Sequence, residues 1–372
     1  MLKKAVKKFL SVVLATAMVV SSITVYGASV KVPEDRVLTS VKEYSIAPGI
    51  KEKHITTVDK DGNNQVQAYM AEVDLKTSSI GMMAGYKNYD KTGKWGMQTV
   101  RDQAKAAEKA TGKTIVAAIN GDYFDMGTGQ PWGSLVMGGD IVQTQNGYPY
   151  FAIMKDGTAD CREAYEPLDD VVEAIGSPFF LVKDGKALEE LAADPYAMPR
   201  CAVGIKADGS VIIYEADGRQ APKSCGQSLY ETAKQMEAMG CVEALYLDGG
   251  GSATFASRTE GTDSLEVKNS PSDGTERKVS SSLFIYSDAK ANGEFDHATI
   301  SPLEEVYTPG STVQFEAKGV DSAGSKADLP KDATFVLKDD SFGTIDGTTG
   351  QFVSNGTEGT VEVQLKSGDK VV

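Results

Sequence analysis

The chain has 372 residues with 38 basic and 52 acidic side chains, a net charge of −14, and four cysteines. Such acidity excludes polyanionic partners, so neither nucleic acid nor an anionic membrane surface is expected. Histidine occurs only at His54 and His297; a histidine-rich zinc site is ruled out, and a Ser-His-Asp triad would need one of the two to travel into the site.

In chain order, Lys3, Lys4, Lys7 and Lys8 precede an apolar run from Phe9 to Val20, and small and polar residues follow up to Gly27-Ala28. Residues 1–28 read as a signal peptide, because the run is short for a bilayer span. Losing those four lysines takes the mature chain to −18. The expected location is bacterial extracellular, secreted or at the cell surface, with no membrane span after cleavage and an oligomeric state that the sequence leaves open.

Residues 29–50, with Pro33 and Pro48, read as an exposed leader, and residues 51–287 as the main domain. Strands are expected over 65–75 and 79–84, then a polar loop over 86–96. A helix is expected from Thr99 to Thr111, ended by Gly112; a strand from Thr114 to Ile119 follows and runs into Asn120-Gly121-Asp122-Tyr123-Phe124-Asp125. The stretch 126–133, rich in glycine and holding Pro131 and Trp132, reads as a loop over a pocket. Short strands fill 134–158, and 169–175 reads as a weak helix or edge segment. A hairpin runs through Ala202–Ile205, Asp208-Gly209 and Val211–Tyr214, with Arg200 and Arg219 at its outer ends, so both arginines are expected on one rim.

Ser228-Leu229-Tyr230-Glu231 has the spacing of a capping box, and Leu229, Ala233, Met236 and Met239 continue at helical intervals until Gly240. The apolar strand Val242–Leu247 then delivers Asp248 into Gly249-Gly250-Gly251-Ser252. The order helix, glycine, strand, acid thus occurs twice. If the two strands neighbour each other in one sheet, Asp122 and Asp248 meet at its edge. The predicted fold is α+β, a mixed twisted sheet with helices. A linker over 288–295 leads to 296–372, whose short alternating strands read as a small immunoglobulin-like β-sandwich module that stops without a closing element.

The chemistry left open is that of carboxylate, arginine, amide and backbone N–H. Asp248 is otherwise a turn-former, and Asp122 otherwise a turn cap. Asn120 and Asn269 could equally satisfy buried backbone groups. Ser252 is read as a phosphate or turn donor, since no base is at hand to make it a nucleophile. No cofactor is required, although Asp122, Asp125 and Asp248 could converge on calcium or magnesium. An exported chain with Cys161, Cys201, Cys225 and Cys241 could form two disulfides; the pairing considered is Cys201 with Cys225, which the spacing does not require.

Five stretches carry a family resemblance: Ala118-Ile119-Asn120-Gly121-Asp122-Tyr123-Phe124, Pro199-Arg200-Cys201-Ala202-Val203-Gly204, Asp217-Gly218-Arg219, Leu247-Asp248-Gly249-Gly250-Gly251-Ser252, and Asn269-Ser270-Pro271 with Arg277. In this order they resemble the phosphodiester glycosidase family. The resemblance implies hydrolysis of a sugar-1-phosphodiester, such as an N-acetylglucosamine-type or cell-wall or exopolysaccharide substrate. Asp248 and Asp122 would be the catalytic carboxylates. Arg200, Arg219, Asn120, Gly249, Gly250, Gly251, Ser252, Asn269 and Arg277 would hold substrate and phosphate. The competing reading is a non-catalytic extracellular glycan-binding or surface-attachment protein, suggested by the export signal and the β-rich tail.

Overall fold

A computed structural model describes residues 30–77, 79–144, 147–303 and 305–372. The reading of residues 1–28 as a signal peptide lies outside this range. No helix among the described residues is long and apolar enough to cross a membrane.

Three antiparallel sheets make up the main body. The longest has eight strands, in spatial order Arg36–Ala47, Ile50–Asp59, Val66–Val73, Val211–Ala216, Arg200–Lys206, Cys241–Leu247, Phe180–Lys183 and Lys186–Ala187. A second holds Asp140–Gln143, Leu135–Met137, Val171–Gly176, Tyr150–Met154 and Ala159–Arg162, and a third holds Leu265–Val267, Phe255–Arg258, Thr114–Asn120, Ser281–Ser287 and Ile80–Tyr86. Side chains alternate across each strand, so every sheet has one face for a shared core. Val203, Ile213, Leu245 and Leu247 from the first sheet meet Leu135, Phe151 and Ile175 from the second and Ile119, Phe255 and Leu283 from the third.

Two helices cover outer faces. Helix α1, Val100–Thr111, starts at Thr99, whose side chain accepts from the Asp102 amide, and ends at Gly112, where φ is 70° and a left-handed residue is needed. Its Val100, Ala104 and Ala107 pack on Ile115, Ala118 and Phe284 of the third sheet. Helix α2, Leu229–Ala238, opens with the expected capping box between Ser228 and Glu231. Its Ala233 and Met236 pack on Ala202, Tyr214 and Tyr246 of the long sheet. The approach is close: a Cβ on Gly204 would lie 2.7 Å from both Met236 Cε and Cys241 Sγ.

The α+β expectation of a mixed sheet with helices is overturned. The described residues hold twenty-seven strands against two α-helices, and they form several separate sheets. The strands that follow α1 and α2 do not share a sheet: Thr114–Asn120 pairs with Phe255–Arg258 and Ser281–Ser287, whereas Cys241–Leu247 pairs with Arg200–Lys206 and Phe180–Lys183. A helix followed by a strand looks alike whether or not that strand returns to the same sheet, and only distant partners decide. The supposed leader is corrected too: Arg36–Ala47 pairs along its length with Ile50–Asp59, and Val41, Ile46, Ala47 and Ile50 are buried. The stretch 169–175, read as a weak helix or edge segment, mostly belongs to the strand Val171–Gly176, the middle one of the second sheet. All four cysteines are free, so Cys201 and Cys225 do not pair. Cys201 points into the core shared by the sheets, while the Cys225 amide ties its loop to the Gln65 carbonyl.

Beyond the third sheet, residues 295–371 form three small three-stranded sheets. They touch the main body through the buried Glu260, which accepts from Ser45 and faces His297 at 3.2 Å, and through the Gly261 amide on the Gly324 carbonyl. Because Met236 is fully buried between α2 and the long sheet, Met236→Ala is expected to lower unfolding free energy by about 2–5 kcal/mol in urea titrations.

Candidate active site

The ends of two strands from different sheets are stitched together at one point. The Asp248 amide donates to the Gly121 carbonyl at 2.8 Å, and Asn120 Nδ2 donates to the Asp248 carbonyl at 2.6 Å. Asn120 Oδ1 accepts from the Thr254 amide at 3.0 Å and from Cys201 Sγ at 3.2 Å. Asn120 is fully buried, so its side chain joins the sheets and is spent within the protein. The stitch sets Asp122 and Asp248 near each other, although their strands are not sheet neighbours.

Both carboxyl groups resist ionisation. Asp122 is 2% exposed; burial pushes it up to about 7, against the pull of the Gly133 and Tyr123 amides, and the nearby Asp248 adds to the rise. Its Oδ2 accepts from the Gly133 amide, while Oδ1 is buried with no hydrogen-bond partner. Burial raises Asp248 to about 6, moderated by a hydrogen bond with Ser252, by the Arg277 charge and by the Gly249 amide. Raised carboxyl groups in one place are characteristic of reaction centres.

Each glycine after Asp248 is closely approached by a different neighbour. A Cβ on Gly249 would lie 2.4 Å from Tyr246 Oη and 2.6 Å from the Pro199 carbonyl. On Gly250, where φ is 59°, it would meet the Arg219 guanidinium at 3.2 Å, and on Gly251 the Arg277 guanidinium at 2.0 Å. The turn was expected to offer amides to phosphate, but the Gly250 amide bonds the Pro199 carbonyl and the Ser252 amide bonds Gly249. Its bare backbone serves as a bed for two guanidinium groups.

Arg277 is steadied by Asp273 at 2.7 Å and reaches Ser252 Oγ at 3.4 Å. Arg219 is exposed, with a left-handed φ of 61°; its Nη2 lies 3.1 Å from Met198 Sδ, and it has no ion pair among the described residues. Arg200 behaves differently. Although the hairpin pairs it with Ala216, the residue is 2% exposed and its side chain donates to the Gln227 carbonyl, Tyr246 Oη and the Tyr196 carbonyl. The two arginines therefore do not share a rim: Arg200 braces Tyr246 from inside.

Asn269 is also committed to the protein. It donates to Glu215, Asp217 and the Ala253 carbonyl, and it accepts from the Phe255 amide at 2.9 Å. Asp217 accepts the Ser270 amide with both oxygens, and burial raises it to about 6, while burial beside Asp217 pushes Glu215 well above the usual carboxylate range. This buried acid pair anchors the loop that carries Arg277. Asp125 does not converge with Asp122 and Asp248: it is exposed, and its Oδ1 accepts the Gly127 and Thr128 amides of its own loop. The described residues contain no group of three His, Cys, Asp or Glu that could hold a metal ion.

Sequence reasoning missed Tyr123 and Tyr246, whose rings meet edge to face at 6.0 Å beside the two aspartates. It also missed Gly133 as the donor to Asp122 and the pair Glu215 and Asp217. Tyr123 and Asp217 lie inside two of the stretches that carry the family resemblance, and the others have as local signals only adjacency to the acids or a Gly-Pro-rich loop, which many turns share.

Residues 113–286 match the model of the phosphodiester glycosidase family, and all five stretches that carried the resemblance fall within them. The mouse N-acetylglucosamine-1-phosphodiester alpha-N-acetylglucosaminidase is 29% identical over 161 residues, covering 37% of this chain and 31% of that protein. The SPbeta prophage-derived uncharacterized protein YomE of Bacillus subtilis is 26% identical over 285 residues, covering 70% of this chain and 42% of its own. The chain thus spans about a third to two fifths of the length of these curated relatives. Among solved structures, the catalytic domain of the zebrafish N-acetylglucosamine-1-phosphodiester alpha-N-acetylglucosaminidase superposes with a TM-score of 0.51 at 22% identity, covering 68% of this chain and 88% of that one. A hypothetical protein from Synechocystis gives 0.52 at 13% identity, covering 67% and 64%. These two likenesses show the fold.

The Asp122 carboxyl has a thermodynamic signature. A carboxyl raised on folding binds its proton more tightly in the native state, so its contribution to stability falls as pH rises from about 4, the unfolded value, through about 7. Asp122→Asn removes that penalty. Its melting temperature, measured against wild type from pH 4 to 8, is expected to show a gain that grows up to about pH 7 and then levels off.

Proposed function

We propose that this chain, whose residues 113–286 belong to the phosphodiester glycosidase family, is an exported hydrolase that cleaves sugar-1-phosphodiester bonds, with N-acetylglucosamine-type units of cell-wall or exopolysaccharide polymers as the substrate class. The observation that carries this reading is the placement of two aspartates, Asp122 buried and Asp248 half-buried, beside a glycine turn overlaid by Arg219 and Arg277. Export is supported by the lysines and apolar run of residues 1–28.

The roles follow from charge. Breaking the bond from the anomeric carbon to the phosphate oxygen expels a phosphate monoester, already a stable anion, and leaves an oxocarbenium-like centre. Arg219 and Arg277 stabilise the departing phosphate with charge-assisted hydrogen bonds, aided by Ser252. Above pH of about 6, Asp248 is a carboxylate and faces the developing positive charge. Asp122 keeps its proton up to pH about 7 and can donate it to the departing phosphate oxygen, which leaves a carboxylate to take the proton of the incoming water.

Activity is expected to be bell-shaped in pH, rising near 6 as Asp248 ionises and falling near 7 as Asp122 does. Asp248→Asn is expected to lower kcat by about 10²–10⁴-fold, and Arg219→Ala to lower kcat/KM by about 10–100-fold. The assay is release of sugar from a panel of sugar-1-phosphodiesters. No release from any α-linked N-acetylglucosamine diester, together with glycan binding that Asp248→Asn leaves unchanged, would instead identify a glycan-binding protein.

Because Asp125 is committed to its own loop, two of the three expected carboxylates remain for a divalent cation, a poor set for calcium or magnesium. Hydrolysis is therefore expected to survive exhaustive dialysis against EDTA; loss of activity restored by calcium or magnesium would refute this.

A further inference from the structure

Trp132 is an exposed aromatic ring on a loop with fixed backbone. Its side chain is 44% exposed, yet its amide donates to the Tyr123 carbonyl at 2.9 Å. On one side Pro131 forms a bridge with Phe124; on the other the Gly133 amide is bonded to Asp122 Oδ2. A Cβ on Gly133 would lie 2.6 Å from Gly176 Cα, so the loop is also pressed against the second sheet. Burying an indole held on so rigid a backbone costs a ligand little ordering entropy.

The ring continues a row of aromatics that leads to the aspartates. Tyr246 meets Tyr123 edge to face at 6.0 Å, Tyr123 meets Trp132 edge to face at 5.3 Å, and Trp132 faces Tyr148 at 6.1 Å with 33° between the planes. Trp132 is attached on the Asp122 side of the pair, whereas Ser252, Arg219 and Arg277 gather on the Asp248 side. A phosphate held by the arginines leaves the sugar to extend toward the uncharged aromatic surface. The apolar C–H face of a pyranose matches such a surface, and its hydroxyls stay in water.

We infer that Trp132, flanked by Tyr148, is a stacking subsite for a pyranose ring on the side of the aspartate pair opposite the arginines. The inference rests on the proposed reading of Asp122, Asp248 and the arginines as a sugar-phosphate site. It assigns to the loop over residues 126–133 the selection of the sugar, and to the two arginines over the glycine turn the selection of the phosphate.

The chain has two tryptophans, Trp95 and Trp132, so Trp95→Phe makes Trp132 the sole indole reporter. In an Asp248→Asn background, which suppresses turnover, this protein is titrated with the α-1-phosphates of N-acetylglucosamine, glucose and mannose, following emission and heat in parallel. The expected result for at least one sugar is a saturable emission change with the calorimetric affinity, which Trp132→Ala weakens about tenfold and Trp132→Tyr largely restores. If Trp95→Phe perturbs the fold by circular dichroism, the difference between Asp248→Asn proteins with and without Trp132→Phe supplies the same signal. Heat without a change in emission, unchanged affinity in Trp132→Ala, or no binding of any of the three overturns the subsite. A saturable emission change in a protein whose wild type hydrolyses no sugar-1-phosphodiester keeps the subsite and removes the hydrolytic reading.

Discussion

The site depends on a pair of hydrogen bonds between the ends of two strands that belong to different sheets. Asp248 donates its amide to Gly121 and receives Asn120 Nδ2 on its carbonyl. A buried side-chain amide with both ends satisfied is a stiff joint, because releasing any partner strands a desolvated polar group at a cost of about 1–3 kcal/mol. Asn120 meets this condition with Asp248 on one side and Thr254 on the other. Asn269 repeats the device between Phe255, Ala253 and the buried acid pair Glu215 and Asp217. Two asparagines that looked like substrate ligands hold the two margins of the glycine turn, and the reacting groups inherit their positions from them.

The glycines show how a motif can point to the right place for a different reason. A run of three suggested backbone amides turned toward an anion. Two of those amides are used internally, and the absence of side chains instead lets the Arg219 and Arg277 guanidinium groups lie directly on the chain. The positive charge available to an anion therefore comes from side chains fixed by contact with backbone. It has a defined geometry even though the chain as a whole is strongly acidic.

What could be read from the sequence was local. The caps at Thr99 and Ser228, the stops at Gly112 and Gly240, and the strands leading to Asp122 and Asp248 are each specified by a few adjacent residues, and they stand where expected. Sheet membership was not readable, since the pairing that separates Thr114–Asn120 from Cys241–Leu247 is made with residues far away in the chain. The strand Arg36–Ala47 escaped notice because only Val41, Ile46 and Ala47 are buried on it and prolines flank it. Arg200 was misplaced for a subtler reason. Its backbone position at the hairpin end was right, but its side chain turns inward to Tyr246 and two carbonyls, and strand register alone does not reveal that choice.

Arg219 occupies a backbone conformation that glycine would adopt freely, and a side chain there costs on the order of 1–2 kcal/mol. A large residue is retained in that conformation only where what it does outweighs its conformational penalty. Its guanidinium lies over Gly250 and against Met198 Sδ. The turn thus joins conformational discomfort at one residue to a cation that, among the described residues, has no ion-pair partner.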